Sequence, residues 1–435
     1  MISNMSKSQE LAEKQRQYLF PAVSKLLYYG DDPLAVSHAK DQWLWDTEGK
    51  RYLDFFGGIL TVSIGHCNDE VTNATIEQLQ KVQHTSSLYI NEITIKVAEK
   101  IASITPGRLQ QCFFSNSGTE ADEMAILTAR MYTGNSDIIA LRHAYSGRSM
   151  GMMSVTAHAP WRLGNVFDGA IKHVRSPYSY RAPLGMDEDD LLDLCVEDLE
   201  EMLSTCTNGK IAAFMAEPIQ GVGGFITLPR NYFKRILPIV KAAGGLLIID
   251  EVQTGWGRTG KYWCGIEHWG VEPDIITFAK GIANGAPVGC TVTTPEIAAA
   301  VSGLTLSTFG GNPVSMATAY ATLNYIDKHR LWENAEIQGN KLRERMEDMK
   351  ARYDFIGDVR GMGLMQAFEM VMPGSKTPNP QKATALVKAA RKNGLLIGKG
   401  GLYGNTIRIA PHLNVTSSDL AAGCDLIEAA LKAIA

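Results

Sequence analysis

Five short apolar runs, each ending in a polar or glycine-containing turn, constrain the fold of this chain more than any other feature. Stretches with helical periodicity separate them, and the runs are 113–114, 138–141, 211–215, 246–249 and 275–278. Runs of this kind indicate parallel strands that are buried on both faces beneath helices. We therefore predict an α/β fold. Because ligands of such sheets bind beyond the carboxyl ends of the strands, the residues after each run are the first candidates for a functional site.

The two ends of the chain carry a different pattern. Residues 42–45 and 51–54 flank a Glu48–Gly49 turn and predict a β-hairpin. The pattern is helical from about residue 313 to 353, and strand-like segments follow at 363–368 and 406–409. We predict a large central domain and a small α+β domain assembled from both chain ends. The predicted bounds are 1–60 and 326–435 for the small domain and 61–325 for the large one.

Composition excludes several classes of function. The 42 Lys and Arg residues nearly balance the 46 Asp and Glu residues, so no global field favours nucleic acid or an anionic membrane. The seven cysteines are scattered without a C-x-x-C spacing, which indicates reduced thiols and no metal site. The chain has neither the apolar core of a secretory signal nor the ~18 apolar residues of a membrane span. We expect a soluble cytoplasmic protein.

The first run leads into Asn116-Ser117-Gly118-Thr119-Glu120 at the start of a predicted helix. Ser117 and Glu120 have the spacing of a capping box. The amides of this turn, with the hydroxyls of Ser117 and Thr119, would also form a cradle for a phosphate group. A plain helix cap explains the same residues, because capping boxes occur in ordinary helices.

An acid and an amine follow two later runs. Asp250 comes directly after the fourth run, and Lys280 comes two positions after the end of the fifth. A desolvated lysine at a buried strand end would have a lowered pKa and would react with carbonyl groups. Together with a phosphate cradle, this pair predicts pyridoxal phosphate, with Lys280 bonded to the cofactor and Asp250 holding the pyridine nitrogen protonated. Tyr145, after the second run, is placed to stack on the ring.

Other classes of protein fit these residues less well. The segment 255–261 satisfies G-x-x-x-x-G-K, but Tyr262 stands where a phosphate-binding loop needs Ser or Thr, and the segment follows the acid instead of preceding it. A dinucleotide-binding oxidoreductase would need G-x-G-x-x-G after a first strand, which is missing. A non-catalytic interaction protein gives no reason for Lys280.

The motifs resemble those of the class III aminotransferases, which are pyridoxal-phosphate-dependent enzymes of fold type I. The likeness extends from about Leu26 to Leu431 and covers five motifs in family order: 116–121, 216–221, 249–255, 279–281 and 308–313. The resemblance implies a large three-layer α/β/α domain with a mainly parallel sheet and a small α+β domain. It also implies a homodimer, or a tetramer, with active sites at the subunit interface.

The resemblance assigns roles to ten residues. Ser117, Gly118 and Thr119 would hold the phosphate, Tyr145 would stack on the ring, and Asp250 would pair with the pyridine nitrogen. Lys280 would be the Schiff-base lysine and the proton carrier. Glu217, Val252 and Gln253 would lie near the cofactor, with Gln253 close to its phenolic oxygen. Thr308 would reach the phosphate of the cofactor in the neighbouring subunit.

Substrate recognition is implied at Arg408. A strand at 406–409 would place Arg408 on the face opposite the isoleucines, and the matching family arginine binds the substrate carboxylate in two parallel hydrogen bonds. An exposed arginine on an edge strand is the alternative. Relatives that act on ornithine, acetylornithine or 4-aminobutyrate carry a glutamate where this chain has Val222. Because valine cannot neutralise Arg408, the chain resembles the alanine–glyoxylate aminotransferase 2 and ω-amino acid:pyruvate branch.

We therefore predict a ping-pong transfer of an amino group from alanine, a β- or ω-amino acid or an amine to pyruvate or glyoxylate. Arg148 leaves 2-oxoglutarate open as the acceptor, because a matching arginine in some relatives binds its distal carboxylate. Ser146 replaces a histidine of many relatives and affects the pocket's shape. Tyr28, Tyr29, Ile59, Leu88 and Tyr89 are candidates for the substrate pocket or the core. A decarboxylase, racemase or aminomutase also stays open, since the pocket selects the reaction.

Overall fold

The computed structural model describes residues 5–27, 29–30, 32–164 and 168–435. The strands, in chain order, are β1 (Val36–Lys40), β2 (Trp43–Asp46), β3 (Arg51–Asp54), β4 (Gln111–Ser115), β5 (Ile138–Leu141), β6 (Ile171–Val174), β7 (Ala213–Ala216), β8 (Ile219–Gln220), β9 (Ile226–Thr227), β10 (Leu246–Asp250), β11 (Ile275–Phe278), β12 (Gly289–Thr293), β13 (Ile356–Met362), β14 (Met365–Met370), β15 (Leu395–Leu396), β16 (Gly398–Gly400) and β17 (Thr406–Ile409).

The α-helices are α1 (Lys7–Tyr18), α2 (Pro21–Ser24), α3 (Gly57–Leu60), α4 (Asp69–Lys81), α5 (Glu92–Ile104), α6 (Gly118–Thr133), α7 (Met150–Val155), α8 (Glu188–Cys206), α9 (Tyr232–Ala242), α10 (Pro295–Ala298), α11 (Pro313–Lys328), α12 (Leu331–Arg352), α13 (Pro380–Lys392) and α14 (Ser417–Lys432). Short 3₁₀ segments occur at Ala159–Trp161, Ser179–Arg181, Gly265–Trp269 and Lys280–Ala283.

The central sheet has the strand order β4-β12-β11-β10-β7-β5-β6, and only β12 runs against the other six strands. This confirms the predicted α/β fold, and each of the five apolar runs contributes to one of its parallel strands. The carboxyl ends of β4, β5, β7, β10 and β11 consequently lie along the same edge. The residues that follow these strands are brought together there, as the sequence predicts.

Apolar residues cover both faces of this sheet. Along β10, Leu247 and Ile249 belong to the larger core cluster, while Leu246 and Ile248 belong to a smaller one. Because successive side chains of a strand point to opposite faces, this division shows that helices pack on each side. The large domain is therefore a three-layer α/β/α structure with a core on either side of the sheet.

The two chain ends meet in smaller sheets. The predicted hairpin is present as the antiparallel pair β2 and β3, and β15 from the C-terminal part joins its edge by pairing in parallel with β3. A second four-stranded sheet has the order β13-β14-β17-β16 and is antiparallel throughout. The small α+β part built from both ends is thus confirmed, whereas the bounds 1–60, 61–325 and 326–435 stay a prediction.

The C-terminal part differs in detail from the sequence prediction. The helical stretch is two helices, α11 and α12, which are separated at Arg330, where φ is 48°. This left-handed backbone conformation cannot continue a right-handed helix. The strand expected at 363–368 is β14, which begins two residues later and pairs with β13, a strand that the sequence reading did not identify.

Candidate active site

A cavity of ≈ 340 Å³ lies at the carboxyl edge of the central sheet. It collects most of the predicted site residues, namely Ser117, Gly118, Thr119, Tyr145, Ser146, Arg148, Glu217, Asp250, Val252, Gln253 and Lys280. These residues follow different strands and are up to 163 positions apart in the chain, from Ser117 to Lys280. The parallel sheet brings them together because it aligns the ends of its strands.

The predicted phosphate cradle is the first turn of α6. Ser117 is its N-cap, and its Oγ accepts a hydrogen bond from the Glu120 amide at 3.4 Å. The Glu120 carboxylate accepts from the Asn116 amide at 3.1 Å, so the reciprocal bond of the predicted capping box reaches one residue further back. Gly289 of β12 packs against this turn so closely that a Cβ there would lie 2.2 Å from the Ser117 carbonyl oxygen. The cradle thus combines hydroxyls with the positive end of a helix.

Lys280 stands at the end of β11, where the sequence places it. Its φ of 46° is left-handed, a conformation that is uncommon for residues other than glycine and often occurs at functional sites. Burial lowers the pKa of its amine below the ordinary value, and the attraction of Asp250 and Glu217 opposes this shift. A lysine with a lowered pKa has a larger neutral, nucleophilic fraction.

Asp250 ends β10, beside β11, and is 5% exposed. Its Oδ1 accepts a hydrogen bond from the Val252 amide at 2.9 Å. Burial raises the pKa of Asp250 to about 6, while the Val252 amide and the charge of Lys280 lower it. A carboxylate in this position can hold a proton on a basic ring nitrogen, because its negative charge favours the positively charged form of the ring.

Glu217 organises the turn that carries Tyr145. Its Oε1 accepts from the Tyr145 amide at 3.1 Å, and its Oε2 accepts from the Gly221 amide at 2.7 Å. Burial raises the pKa of Glu217 to about 8, and the charge of Asp250 adds to this shift. Tyr145 itself meets Trp161 edge to face, with ring centroids 5.6 Å apart. Glu217 therefore connects the ends of β5 and β7 at the floor of the cavity.

The cavity fits pyridoxal phosphate in each of its parts. It presents an amine, a carboxylate and a phosphate cradle, and the Oε1 of Gln253 is buried there without a hydrogen-bond partner among the described residues. Gly221 packs against that amide so closely that a Cβ would lie 2.4 Å from it. An unpaired buried amide beside a cavity indicates that a polar ligand completes the site.

Asp122 is a cavity residue that the sequence reading missed. It lies one turn after Gly118 on α6, is 1% exposed, and accepts a hydrogen bond from Thr277 Oγ1 at 2.6 Å. Its carboxyl group also lies within hydrogen-bonding reach of the Asp250 carboxyl. Burial and the charge of Asp250 raise the pKa of Asp122 well above its ordinary value. The only signal in the sequence is its i+4 spacing from Gly118, which puts both residues on one face of the helix.

Arg408 lies near the cavity without lining it. It is 5% exposed on β17, an interior strand, so the alternative of an exposed arginine on an edge strand is wrong. Its guanidinium lies 4.9 Å from the ring centroid of Phe56, and its Nη2 donates to the Lys399 carbonyl at 3.1 Å. The positive charge of Arg408 also lowers the pKa of Lys280, although burial and the charges of Asp250 and Glu217 have larger effects on it.

Several predicted residues lie outside the cavity. Thr308 is exposed and does not line the cavity. Ile59, Leu88 and Tyr89 are also exposed, so they belong neither to the core nor to this chain's cavity. Tyr29 packs on Arg391, whose guanidinium lies 4.4 Å from the ring centroid, at a separate cavity. Tyr28 lies outside the described residues.

The segment 255–261 is also remote from this chemistry. Its Lys261 and Gly260 line a second polar cavity with Arg230 and Arg343, whereas Asp250 and Lys280 line the first. The acid and the lysine of a nucleotide-binding loop would have to face one nucleotide phosphate group and its magnesium ion. This separation removes the alternative of a nucleotide-hydrolysing enzyme.

An amine and a carboxylate on neighbouring strand ends, facing a helix N-terminus across one cavity, define a pyridoxal-phosphate-dependent enzyme of fold type I. Residues 28–431 match the family model for aminotransferase class III, and the chain belongs to that family. It is therefore an enzyme that transfers amino groups with pyridoxal phosphate as its cofactor. None of the helices in the described ranges combines the length and apolarity that crossing a membrane requires.

Named relatives agree with this family. The chain is 41% identical to alanine–glyoxylate aminotransferase 2 homolog 2, mitochondrial, of Arabidopsis thaliana, over 94% of this chain and 84% of the relative. It is 33% identical to a probable 4-aminobutyrate aminotransferase of Bacillus subtilis (strain 168), over 94% and 95% of the two chains. A solved amine transaminase from an uncultivated Pseudomonas species, in its PLP-bound form, superimposes with a TM-score of 0.89 at 30% identity, covering 97% and 99% of the two chains.

Proposed function

We propose that the enzyme transfers an amino group from alanine, another small α-, β- or ω-amino acid, or an amine to pyruvate or glyoxylate, in two half-reactions of a ping-pong cycle. The observation that carries this proposal is that Arg408 is buried and contacts Gly221, and that the residue after Gly221 is the uncharged Val222. Arg408 Nη1 donates to the Gly221 carbonyl at 3.5 Å, and no carboxylate occupies position 222 to neutralise it. The arginine therefore stays charged toward a substrate carboxylate in both half-reactions.

We assign the cofactor-binding roles to residues of the cavity. Ser117, Gly118 and Thr119 bind the phosphate through hydroxyls and the start of α6, and Gln253 bonds the phenolic oxygen. Asp250 holds a proton at the ring nitrogen. Val252 supports this role, because its backbone amide hydrogen-bonds the Asp250 carboxylate and reduces its freedom to rotate.

We assign the proton transfers to Lys280. When bound, pyridoxal phosphate supplies a ring that accepts the electron pair left at the substrate carbon. Lys280 would hold the cofactor through its amine, and as a neutral base it would move the substrate proton. Its lowered pKa supports this role, since a base works best when its pKa lies near the operating pH. Tyr145 covers the ring, and Glu217 orients Tyr145 by accepting its amide hydrogen.

Arg148 favours a second acceptor, 2-oxoglutarate. It lines the same cavity as Lys280 and is exposed, so its guanidinium can approach the distal carboxylate of a dicarboxylate without displacing a buried partner. An Arg148→Gln variant distinguishes the two acceptors. It should lower the rate with 2-oxoglutarate and leave the rate with pyruvate unchanged if the dicarboxylate is bound here.

We also propose a homodimer in which Thr308 binds the phosphate of the partner subunit's cofactor. Large apolar side chains around this segment are exposed in the single chain, and they are Leu88, Ile90, Leu304, Leu306 and Phe309. Apolar residues that are exposed in such number commonly mark an interface. We propose a cytoplasmic location, which the seven free thiols support because disulfides persist mainly in oxidising compartments.

The visible absorption spectrum of the purified holoenzyme tests the proposed reaction. Alanine, 3-aminoisobutyrate or 4-aminobutyrate is added alone, and the band of the bound cofactor should disappear with a true donor. Pyruvate, glyoxylate or 2-oxoglutarate is then added separately, and the true acceptor should restore the band. If no donor changes the band and no acceptor restores it, the proposed substrates are wrong.

A further inference from the structure

Three carboxyl groups and one amine share the floor of the cavity. Asp122, Glu217 and Asp250 are each 5% exposed or less, and Lys280 is the buried cation beside them, whereas Arg148, which also lines the cavity, is exposed to solvent. If all three acids were ionised, two negative charges would stay unbalanced in a desolvated space. Buried carboxyls in contact avoid this by sharing protons. At least one of the three acids is therefore expected to keep its proton.

The hydrogen bonds around Asp122 indicate that the proton is shared between Asp122 and Asp250. Its Oδ1 accepts from the hydroxyl of Thr277 at 2.6 Å, and Thr277 is the residue of β11 that pairs with Asp250 of β10. The Asp122 carboxyl also lies within hydrogen-bonding reach of Asp250, whose Oδ1 already accepts from the Val252 amide. Two carboxylates cannot hydrogen-bond to each other without a proton, because each is then only an acceptor. A hydrogen bond between Asp122 and Asp250 therefore requires one of the pair to be a carboxylic acid.

The surroundings decide that Asp122 is the acid. Asp250 faces the positive charge of Lys280 and accepts a backbone amide, and both interactions favour its ionised form. The negative charges of Asp250 and, more weakly, Glu217 disfavour the ionised form of Asp122, which the Thr277 hydroxyl and Lys280 only partly stabilise. The pKa of Asp122 is raised well above its ordinary value, chiefly by burial.

We propose that Asp122 is a protonated positioning residue, whose carboxylic acid donates a hydrogen bond to Asp250 and keeps Asp250 a weaker base than the cofactor's ring nitrogen. The inference rests on the proposed role of Asp250. A carboxylate that accepts a hydrogen bond loses basicity, and the bond from Asp122 lowers the pKa of Asp250. The proton between Asp250 and the ring therefore resides on the ring, where it supports electron acceptance.

The geometry also links this residue to the phosphate cradle. Asp122 follows Gly118 by four positions on α6, so one helix carries the phosphate cradle at its first turn and the proton donor one turn later. Binding of the phosphate and control of the ring proton thus depend on the same rigid element.

The test compares Asp122→Asn with Asp122→Leu in holoenzyme loaded with ring-¹⁵N-labelled pyridoxal phosphate. The asparagine amide can accept from Thr277 through Oδ1 and donate to Asp250 through Nδ2, whereas leucine has a similar size and can do neither. In the parent and the Asn variant, the ¹⁵N resonance should lie at the position of a protonated ring. In the Leu variant it should move toward the unprotonated ring, and kcat with alanine should fall at least ~10-fold, against less than ~3-fold in the Asn variant.

Each outcome bears on the inference. An Asn variant that loses ring protonation as fully as the Leu variant overturns the donor role, and so does a Leu variant whose ring stays protonated. If the Leu variant binds no cofactor while the Asn variant binds normally, the need for a donor is supported. Failure of the proposed function is recognised separately, because the parent protein would then bind no cofactor or give an unprotonated ring.

Discussion

Replacement of Arg408 by methionine tests how the enzyme selects carboxylated substrates. The methionine retains the stem that packs beside Phe56 and Phe225, whose ring centroids lie 4.9 Å and 5.7 Å from the guanidinium carbon. It removes the positive charge and both N–H donors that would meet a substrate carboxylate. It also removes the N–H groups that donate to the carbonyls of Lys399 and Gly221, and this loss does not depend on which substrate is bound.

The size of the effect follows from the two hydrogen bonds. A hydrogen bond to a charged group contributes about 1.5–3 kcal/mol, so the weaker end of this range for a bidentate pair is ~3 kcal/mol. At 1.36 kcal/mol for each factor of ten, kcat/KM for alanine should fall by ~150-fold. An amine without a carboxylate, such as 2-aminobutane, does not use the guanidinium, and its kcat/KM should change by less than ~3-fold.

The assay measures kcat/KM for alanine and for 2-aminobutane, with pyruvate held at one saturating concentration, in the parent and the variant. The ratio of the two losses cancels any general damage to the site, because both donors need the same cofactor and Lys280. Arg408→Lys is the matched control, since it keeps the charge but loses the planar fork, and it should give an intermediate ratio. Equal losses for the two donors would refute the assigned role of Arg408.

Three further predictions follow from the same structure. Lys280→Ala should lower turnover at least ~10³-fold while the protein stays folded, because the proton carrier is lost, and a rate near that of the parent would contradict the mechanism. Val222→Glu should raise the KM for alanine by ~10-fold, because a carboxylate beside Gly221 would pair with Arg408. The KM for 2-aminobutane should not change. An unchanged KM for alanine would show that the two side chains do not meet. Glu369, 1% exposed, is ion-paired with Arg360 and Arg181, and although burial acts to raise its pKa, these charges lower it to about 2 from an ordinary 4.5. It should therefore stabilise the fold by about 3 kcal/mol above about pH 4.5, a contribution lost as the pH falls toward 2. Glu369→Gln should remove this acid dependence from the free energy of unfolding, and an unchanged dependence would assign it to other groups.

Local sequence predicted the elements that carry most of the site. The apolar runs before Tyr145, Glu217, Asp250 and Lys280 are buried strands, as expected for runs without alternation that helices cover on both faces. The run before Ser117 also forms a strand, β4, but its two phenylalanines are only half-buried. The order of the motifs then put each polar residue at a carboxyl end. Arg408 was placed on a strand by its alternation with isoleucines, but its burial on an interior strand was not visible, since neighbouring strands come from distant parts of the chain.

The differences between the sequence prediction and the structure arise where the backbone conformation or distant parts of the chain decide the outcome. The break at Arg330 between α11 and α12 follows from a left-handed backbone that helical periodicity does not reveal. Leu88 and Tyr89 read as pocket or core residues because they are large, yet they are exposed in one chain. Their apolar side chains favour burial away from water, but the sequence does not show which surface covers them.

The sequence by itself determined the fold class and the cofactor, and it predicted the residues that would bond the cofactor, because these depend on residue types at strand ends and on their order along the chain. Only the tertiary structure decided the protonation of the site. Asp122 is an ordinary acid in the sequence, and it becomes a proton donor only where α6 packs on β11 and presses it against Asp250. Burial and the charge of neighbours set a pKa, and both are properties of the packed molecule.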